Sequence, residues 1–307
     1  MTNFSVVIPV LDEELIIPEL VRRVENAISK LDSKYEIIII DDGSVDRTWN
    51  EIKKITEKNE RIKALRLSRN FGQHYAISAG LENAKGEWVI VMDGDLQDRP
   101  EVFQDLYAQA IKGFEVVFVS RTNRPESFVY RMIQKLFYFI LVKLSGVKFD
   151  NTLANFSIIN RKVVESFNRF PENARFYAST IKWLGYKATT INADHGTRVG
   201  GSTSYTYRKR INLAFDIIFA FSNRPLKFAI TLGLFTTFIS TIMGIWVIFT
   251  AINYGYDQLG WASVIAAILF TGGTILCVIG ILGIYIGRIF NEVKGRPLYI
   301  VQQKINI

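Results

Sequence analysis

Cysteine and histidine are nearly missing from this chain of 307 residues: it has one cysteine, Cys277, and two histidines, His74 and His195. A lone cysteine cannot close an intrachain disulfide, and so few nitrogen and sulfur ligands argue against a zinc site. Any metal would have to be a hard cation on carboxylates. The turn after the first apolar run, VLDEELI, lacks G-x-G-x-x-G, and G-x-x-x-x-G-K-[ST] occurs nowhere, so dinucleotide oxidoreductases and P-loop NTPases lose their main support. The net charge is +8, yet no helix-turn-helix or zinc-finger pattern accompanies it. Anionic lipid accounts for that charge better than nucleic acid does. The first apolar run, FSVVIPV, has strand length and is too short for a signal peptide.

Charge is missing from two long stretches. Phe228 to Ala251 is 24 residues without a charged side chain, and Trp261 to Gly287 is 27. The shorter spans about 36 Å as a helix, more than the ~30 Å hydrocarbon core of a bilayer. Arg224 and Lys227 precede the first stretch, and Arg288, Lys294 and Arg296 follow the second, while the connecting INYGYDQLG has no Lys or Arg. The positive-inside rule then places both chain ends and the polar domain in the cytoplasm, on a multi-pass plasma-membrane protein. In the second stretch, Gly283 and Gly287 form a G-x-x-x-G pair that lets helices approach closely in lipid. A homo-oligomer, as large as a tetramer, is expected.

Upstream, short β-rich runs alternate with amphipathic stretches. Strands are expected at 4–10, 35–40, 61–67, 87–92 and 115–120, with helices near 14–31, 46–58, 73–84 and 101–112. Strands separated by such helices build a mostly parallel sheet covered on both faces, with ligands bound beyond the strands' C-terminal ends. Residues 127–147 are apolar but carry Arg131, Lys135 and Lys143. They read as a helix in the membrane interface, or alternatively as a core helix with snorkelling lysines. Segment 206–225 reads as a juxtamembrane amphipathic helix. The expected organisation is a domain over 1–205, that helix, a membrane hairpin over 226–290 and a tail over 291–307. Signals between 148 and 205 give no clear order.

Two acid turns carry the chemistry. In MDGDLQD, Asp93 and Asp95 follow an apolar strand, and alternate residues of an extended segment face one side. With Gln97 they can converge on Mg²⁺ or Mn²⁺, which take hard oxygen ligands and bridge to phosphates. In IIIIDDGSVD, Asp41 and Asp42 end a second strand, where a carboxylate can accept from a ribose or a base edge. Gly43 permits a tight turn, and Ser44 or Asp46 can cap the next helix.

Taken in order, IPVLDEE, DDGS and DGDLQD resemble the family-2 glycosyltransferases of GT-A fold, an α/β architecture. DGDLQDRPE, SRTNRPES, RVGGSTSY, FSNRPLK and the two C-terminal spans resemble the polyprenyl-phosphate glycosyltransferases among them. That group includes bactoprenol glucosyltransferases, dolichol-phosphate mannose synthases and aminoarabinose transferases. The resemblance implies transfer of a sugar from a UDP- or GDP-sugar to polyprenyl phosphate with inversion, for cell-envelope glycans, and a separate flippase for the product. It implies that Pro9, Leu11, Glu13, Asp42 and the adjacent Asp41 line the nucleotide pocket. Asp93, Asp95 and Gln97 would hold the metal and the donor diphosphate. Arg121 and Arg198 would act at the meeting point of the phosphates, with Arg124 and Arg131 on the acceptor phosphate.

The chain departs from that pattern twice. Asn155 stands where many relatives have an acid, and Ser204 precedes Tyr205 where many have lysine; Arg208 or Lys209 could supply the missing charge. A processive polysaccharide synthase would share the core, but Q-x-x-R-W is absent. An idle nucleotide-sugar receptor is the remaining alternative.

Overall fold

The computed structural model describes residues 2–122, 153–170, 172, 176–194, 224–254 and 260–307. Seven strands alternate with helices through the first part of the chain. They are β1 (Phe4–Val10), α1 (Ile17–Ile28), β2 (Tyr35–Asp41), α2 (Thr48–Thr56), β3 (Ile62–Leu67), α3 (Gln73–Asn83), β4 (Trp88–Val91), α4 (Phe103–Ala110), β5 (Val116–Thr122), β6 (Leu153–Asn160), α5 (Arg161–Asn168), α6 (Tyr177–Trp183) and β7 (Ala188–Asp194). Two long helices follow, α7 (Arg224–Tyr254) and α8 (Trp261–Val293), and then β8 (Val301–Ile305).

The eight strands form one sheet in the order β7-β5-β6-β4-β1-β2-β3-β8. β3, β2, β1 and β4 run parallel, β6 is antiparallel to β4 and β5, and β7 is parallel to β5. The C-terminal ends of β1, β2, β4, β5 and β7 therefore share one rim with the N-terminal end of β6. Every candidate residue on the described strands falls on that rim.

Period-two alternation divides the core between the two faces. Val6, Ile8, Val10, Ile37 and Ile39 pack with α1, α2 and α4, whereas Val7, Ile38 and Ile40 pack with α3. Ile37 to Ile40 have no exposure at all, as expected for a parallel strand covered on both sides. Each buried isoleucine contributes about 1.5–3 kcal/mol, so this strand is a main source of stability. α1 shows the complementary helical spacing, burying Ile17, Leu20, Val21, Val24, Ala27 and Ile28 while Glu19 and Arg22 pair outside.

β8 was not legible as a strand. It pairs antiparallel with β3, and Ser68 N–H donates to Ile300 O at 2.9 Å. Residues beyond α8 thus form the last strand of the sheet.

α7 and α8 each contain a segment long and apolar enough to cross a membrane, Arg224–Trp246 and Phe270–Val293. Phe228, Leu234, Phe238, Trp246, Leu276 and Ile286 stand more than half exposed along them, which a core helix of a soluble protein would not allow. Hydroxyls on these helices donate back within the helix, as Thr231 does to Lys227 O and Thr274 to Phe270 O, both at 2.9 Å. Such bonds satisfy the hydroxyls within the helix itself.

Candidate active site

The turn after β2 is built almost wholly inward. Asp41 is fully buried: its Oδ1 accepts from Ser44 N at 2.8 Å, and its Oδ2 lies 3.4 Å from Arg66 Nε. Asp42, also buried, accepts from the N–H groups of Phe71 and Gly72, both at 2.8 Å. Burial pushes the Asp42 carboxyl up, with the Asp41 charge adding to it, while those two N–H groups and Arg69 oppose the rise. Gly43 sits at φ +76°, and a Cβ there would lie 2.4 Å from the Arg69 carbonyl carbon. Only glycine meets both conditions.

The loop after β1 is sewn to this turn. Asp12 N donates to Ser44 Oγ at 3.0 Å, Glu13 N to Thr48 Oγ1 at 2.8 Å, and Glu14 N to Asp46 Oδ2 at 3.2 Å. In return, Val45 N donates to Asp12 Oδ1 at 2.9 Å and Arg47 N to Glu14 Oε2 at 2.9 Å. Ser44 therefore serves the neighbouring loop and does not cap α2, while Asp46 does accept from Thr48 N at 2.9 Å. Pro9 is buried at the end of β1, opposite Ile40, whereas Leu11 and Glu13 reach the surface in part.

The turn after β4 faces the other way. Asp93, Asp95 and Gln97 are partly exposed, and the intervening Gly94, Leu96 and Asp98 are buried. The segment is a turn and not the extended run that the sequence suggested, yet it leaves the two carboxylates and the amide accessible at the surface. Gly94 packs so closely on β1 that a Cβ would come within 2.6 Å of Val10 Cγ1. Leu96 holds φ +58°, a conformation uncommon for a bulky residue and one that collects near functional sites. Asp98 accepts from Asp93 N at 3.2 Å, and Asp95 Oδ1 accepts from Gln97 N at 3.1 Å.

A third segment, RNFGQH (69–74), which runs from the loop after β3 into the first turn of α3, escaped the sequence reading. Gln73 Nε2 donates to Asp93 Oδ1 at 2.6 Å, and the same segment supplies the two N–H groups on Asp42. It thereby links the two acid turns. Its signal was available: a polar, glycine-containing turn follows an apolar strand, as in DDGS and DGD. Next to Gln73, burial pushes the His74 imidazole down to about 4, so it is neutral near pH 7; its Nδ1 accepts from Tyr177 N at 3.3 Å.

Arg121 is the penultimate residue of β5, in register with Ala193, on the rim. Asn155 lies near the start of β6 on the same rim, partly exposed. Arg124, Arg131, Arg198, Ser204 and the segments 127–147 and 206–223 lie outside the described residues.

Among the described residues, no group of three or more His, Cys, Asp or Glu side chains forms a closed metal cage. The side-chain oxygens of Asp93, Asp95 and Gln97, all partly exposed, are of the hard type that Mg²⁺ and Mn²⁺ take.

A family model described as Glycosyl transferase family 2 matches residues 5–168. The chain is 38% identical over 300 residues to an uncharacterised glycosyltransferase of Synechocystis sp., covering 97% of this chain and 94% of the relative. It is 35% identical over 302 residues to a prophage-derived bactoprenol glucosyl transferase of Shigella flexneri, covering 98% of each. The fold is similar to that of glucosyl-3-phosphoglycerate synthase from Mycobacterium tuberculosis, solved with Mn²⁺, uridine diphosphate and phosphoglyceric acid. That match has a TM-score of 0.50 at 16% identity and covers 71% of this chain and 76% of the other. A GT-A sheet with its acids on one rim, a family model over more than half the chain and relatives matched end to end agree: this chain belongs to glycosyltransferase family 2.

Proposed function

We propose that this protein transfers a hexosyl group from a UDP- or GDP-sugar to polyprenyl phosphate at the cytoplasmic face of the plasma membrane. The observation that carries the reading is a rim of alternately exposed Asp93, Asp95 and Gln97 in a chain that also has two exposed apolar helices. Relatives of nearly the same length named bactoprenol glucosyl transferase support the acceptor class.

In this reading the loop after β1 and the Asp41–Ser44 turn receive the nucleoside, and Asp93, Asp95 and Gln97 face the diphosphate. Mg²⁺ or Mn²⁺ held there would neutralise charge on the departing diphosphate. Arg121, with Arg198, adds bidentate donors to the phosphates, and Arg124 and Arg131 hold the lipid phosphate. An oxygen of that phosphate attacks the anomeric carbon as the bond to the diphosphate breaks, and the bonding pair leaves with the nucleoside diphosphate. In-line displacement inverts the anomeric configuration. The second pKa of a phosphate monoester is about 6, so the nucleophile is already dianionic near neutral pH. Asn155 in place of an acid is consistent with chemistry that needs no general base.

Both termini are assigned to the cytoplasm, α7 and α8 to a hairpin, and Gly283 and Gly287 to a helix contact within a homo-oligomer. A separate flippase would carry the product across. The test is release of nucleoside diphosphate from a panel of UDP- and GDP-sugars, with and without polyprenyl phosphate and with and without EDTA. Release that requires both the lipid and the divalent cation is expected. Release without lipid, or full turnover in EDTA, counts against the reading.

A further inference from the structure

At the strand ends, one row of paired residues crosses four strands: Val10 of β1, Asp41 of β2, Arg66 of β3 and Gln303 of β8. Asp41 is a fully buried carboxylate whose Oδ2 accepts no hydrogen bond. Its charge is met by Arg66, whose Nε lies 3.4 Å away. The same guanidinium donates to Ser44 O at 3.2 Å. Arg66 thus grips both ends of the Asp41–Ser44 turn, the carboxylate at its start and the carbonyl at its close.

Arg66 is held in turn from the other side. Its guanidinium carbon lies 5.8 Å from the centre of the Trp49 ring, within reach of a cation–π contact. Trp49 is 3% exposed, and indole has a donor and no acceptor, so its N–H needs a partner in the protein. That partner is Gln303 Oε1 at 2.7 Å, on the strand that follows the second apolar helix. Beyond Gln303, β8 is anchored by other groups. Asn306 Nδ2 donates to Thr56 O and Ile62 O, both at 3.0 Å, and Ser68 N holds Ile300 O.

We infer that β8 is a working part of the donor site: Gln303, through Trp49 and Arg66, positions the Asp41–Ser44 turn and so sets nucleotide affinity. None of the three residues touches the ligand; they are positioning residues. This inference rests on the proposed nucleotide site. Its consequence is that donor binding depends on chain lying beyond the second apolar helix, the last stretch of the sequence. Because β8 keeps its ladder and its Asn306 anchors, Gln303→Met removes the indole's acceptor while leaving the strand in place.

The test is a double-mutant cycle on the full-length protein in detergent, with UDP and GDP as calorimetric probes. Gln303→Met and Trp49→Phe should each weaken binding of the preferred nucleotide about three- to tenfold, the scale of one hydrogen bond. The double variant should be no weaker than the worse single, since both break the same link. The acceptor KM should stay at the wild-type value. Failure of the wild type to bind either nucleotide overturns the proposed donor site itself. With wild-type binding intact, unchanged affinity in Gln303→Met, or a double variant at the product of the two single losses, overturns the relay alone. Equal losses of donor binding and acceptor use, together with an earlier unfolding transition, assign Gln303 to general stability and also overturn it.

Discussion

The two acid turns have similar spelling and opposite physics. After β2, Asp41 and Asp42 are buried and their oxygens are committed to the protein's own backbone N–H groups and to Arg66. After β4, Asp93 and Asp95 remain partly exposed, and Asp93 is met by Gln73, whose amide is itself exposed. A buried carboxylate held by several donors is a framework element, because moving it would leave charge uncompensated. A partly exposed carboxylate beside an exposed amide can exchange its partner for a cation or a ligand. In the proposed donor site the first turn is the framework and the second the part open to exchange.

The largest effect that would sharpen this contrast is expected at the exposed turn. Asp95→Ala should cut sugar transfer by about a hundred- to a thousandfold, the scale seen when one charge-stabilising group is removed from a reaction centre. Thermal stability should barely change, since the Asp95 carboxylate is partly exposed and its bond, from Gln97 N–H two residues on, is local. Steady-state kinetics beside a melting curve would measure both. A large drop in stability would make the exposed turn a framework element too, and the contrast would fail.

The buried turn should respond the other way. Asp42→Ala orphans the N–H groups of Phe71 and Gly72 and loosens the start of α3, so stability should fall by about 1–3 kcal/mol. Donor affinity should fall with it, while acceptor use at saturating donor stays near wild type. A variant with normal stability and no nucleotide binding would show Asp42 to be a ligand contact and not a brace.

A framework acid at the far end of the sheet tests the same idea through pH. Glu36, on β2, is buried and accepts from Ser5 Oγ, Lys63 Nζ and Lys85 N, each at 2.6 Å. Burial alone would raise its carboxyl, but those hydrogen bonds and the Lys63 charge outweigh it and hold the group below its ordinary 4.5. A lowered folded value means that the stability is complete above 4.5 and is lost as pH falls through the folded value. Unfolding curves between pH 7 and pH 3 should show the wild type losing more stability than Glu36→Gln as the pH falls. Parallel pH profiles for the two proteins would remove Glu36 from the framework.

How legible this was in the sequence follows from range. The five strands before residue 123 and both apolar helices were readable because short β-rich apolar runs and long charge-free stretches are local signals. The place of Asp93, Asp95 and Gln97 at the end of β4 was readable with the strand, but the turn that exposes them, with Leu96 at φ +58°, was not. The burial of Asp41 and Asp42 was not, since their partners come from residues 66, 71 and 72. Ser44 looked like a cap and instead meets Asp12, on another loop. β8 was hidden further still: VQQKI has no alternation, and only the free edge of β3, far away in sequence, makes it a strand.

The smallest expected effect lies where the two turns meet, at Gln73. Its bond to Asp93 is short, but Gln73 is exposed and Asp93 partly so, so water can replace the lost donor. A hydrogen bond to a charged group is worth about 1.5–3 kcal/mol when buried, and solvent brings this one to the lower end or beneath it. Gln73→Leu should therefore reduce kcat/KM for the donor only about three- to tenfold. Gln73→Glu should do more harm, because it sets a second carboxylate against Asp93 in place of a donor. Comparing the two substitutions separates a lost bond from a misplaced charge. If both variants lose the same small factor, Asp93 has already left Gln73 in the working state, and the exposed turn exchanges partners during turnover. If leucine is as active as the wild type while glutamate is dead, Gln73 serves only to keep negative charge away from the diphosphate's acids.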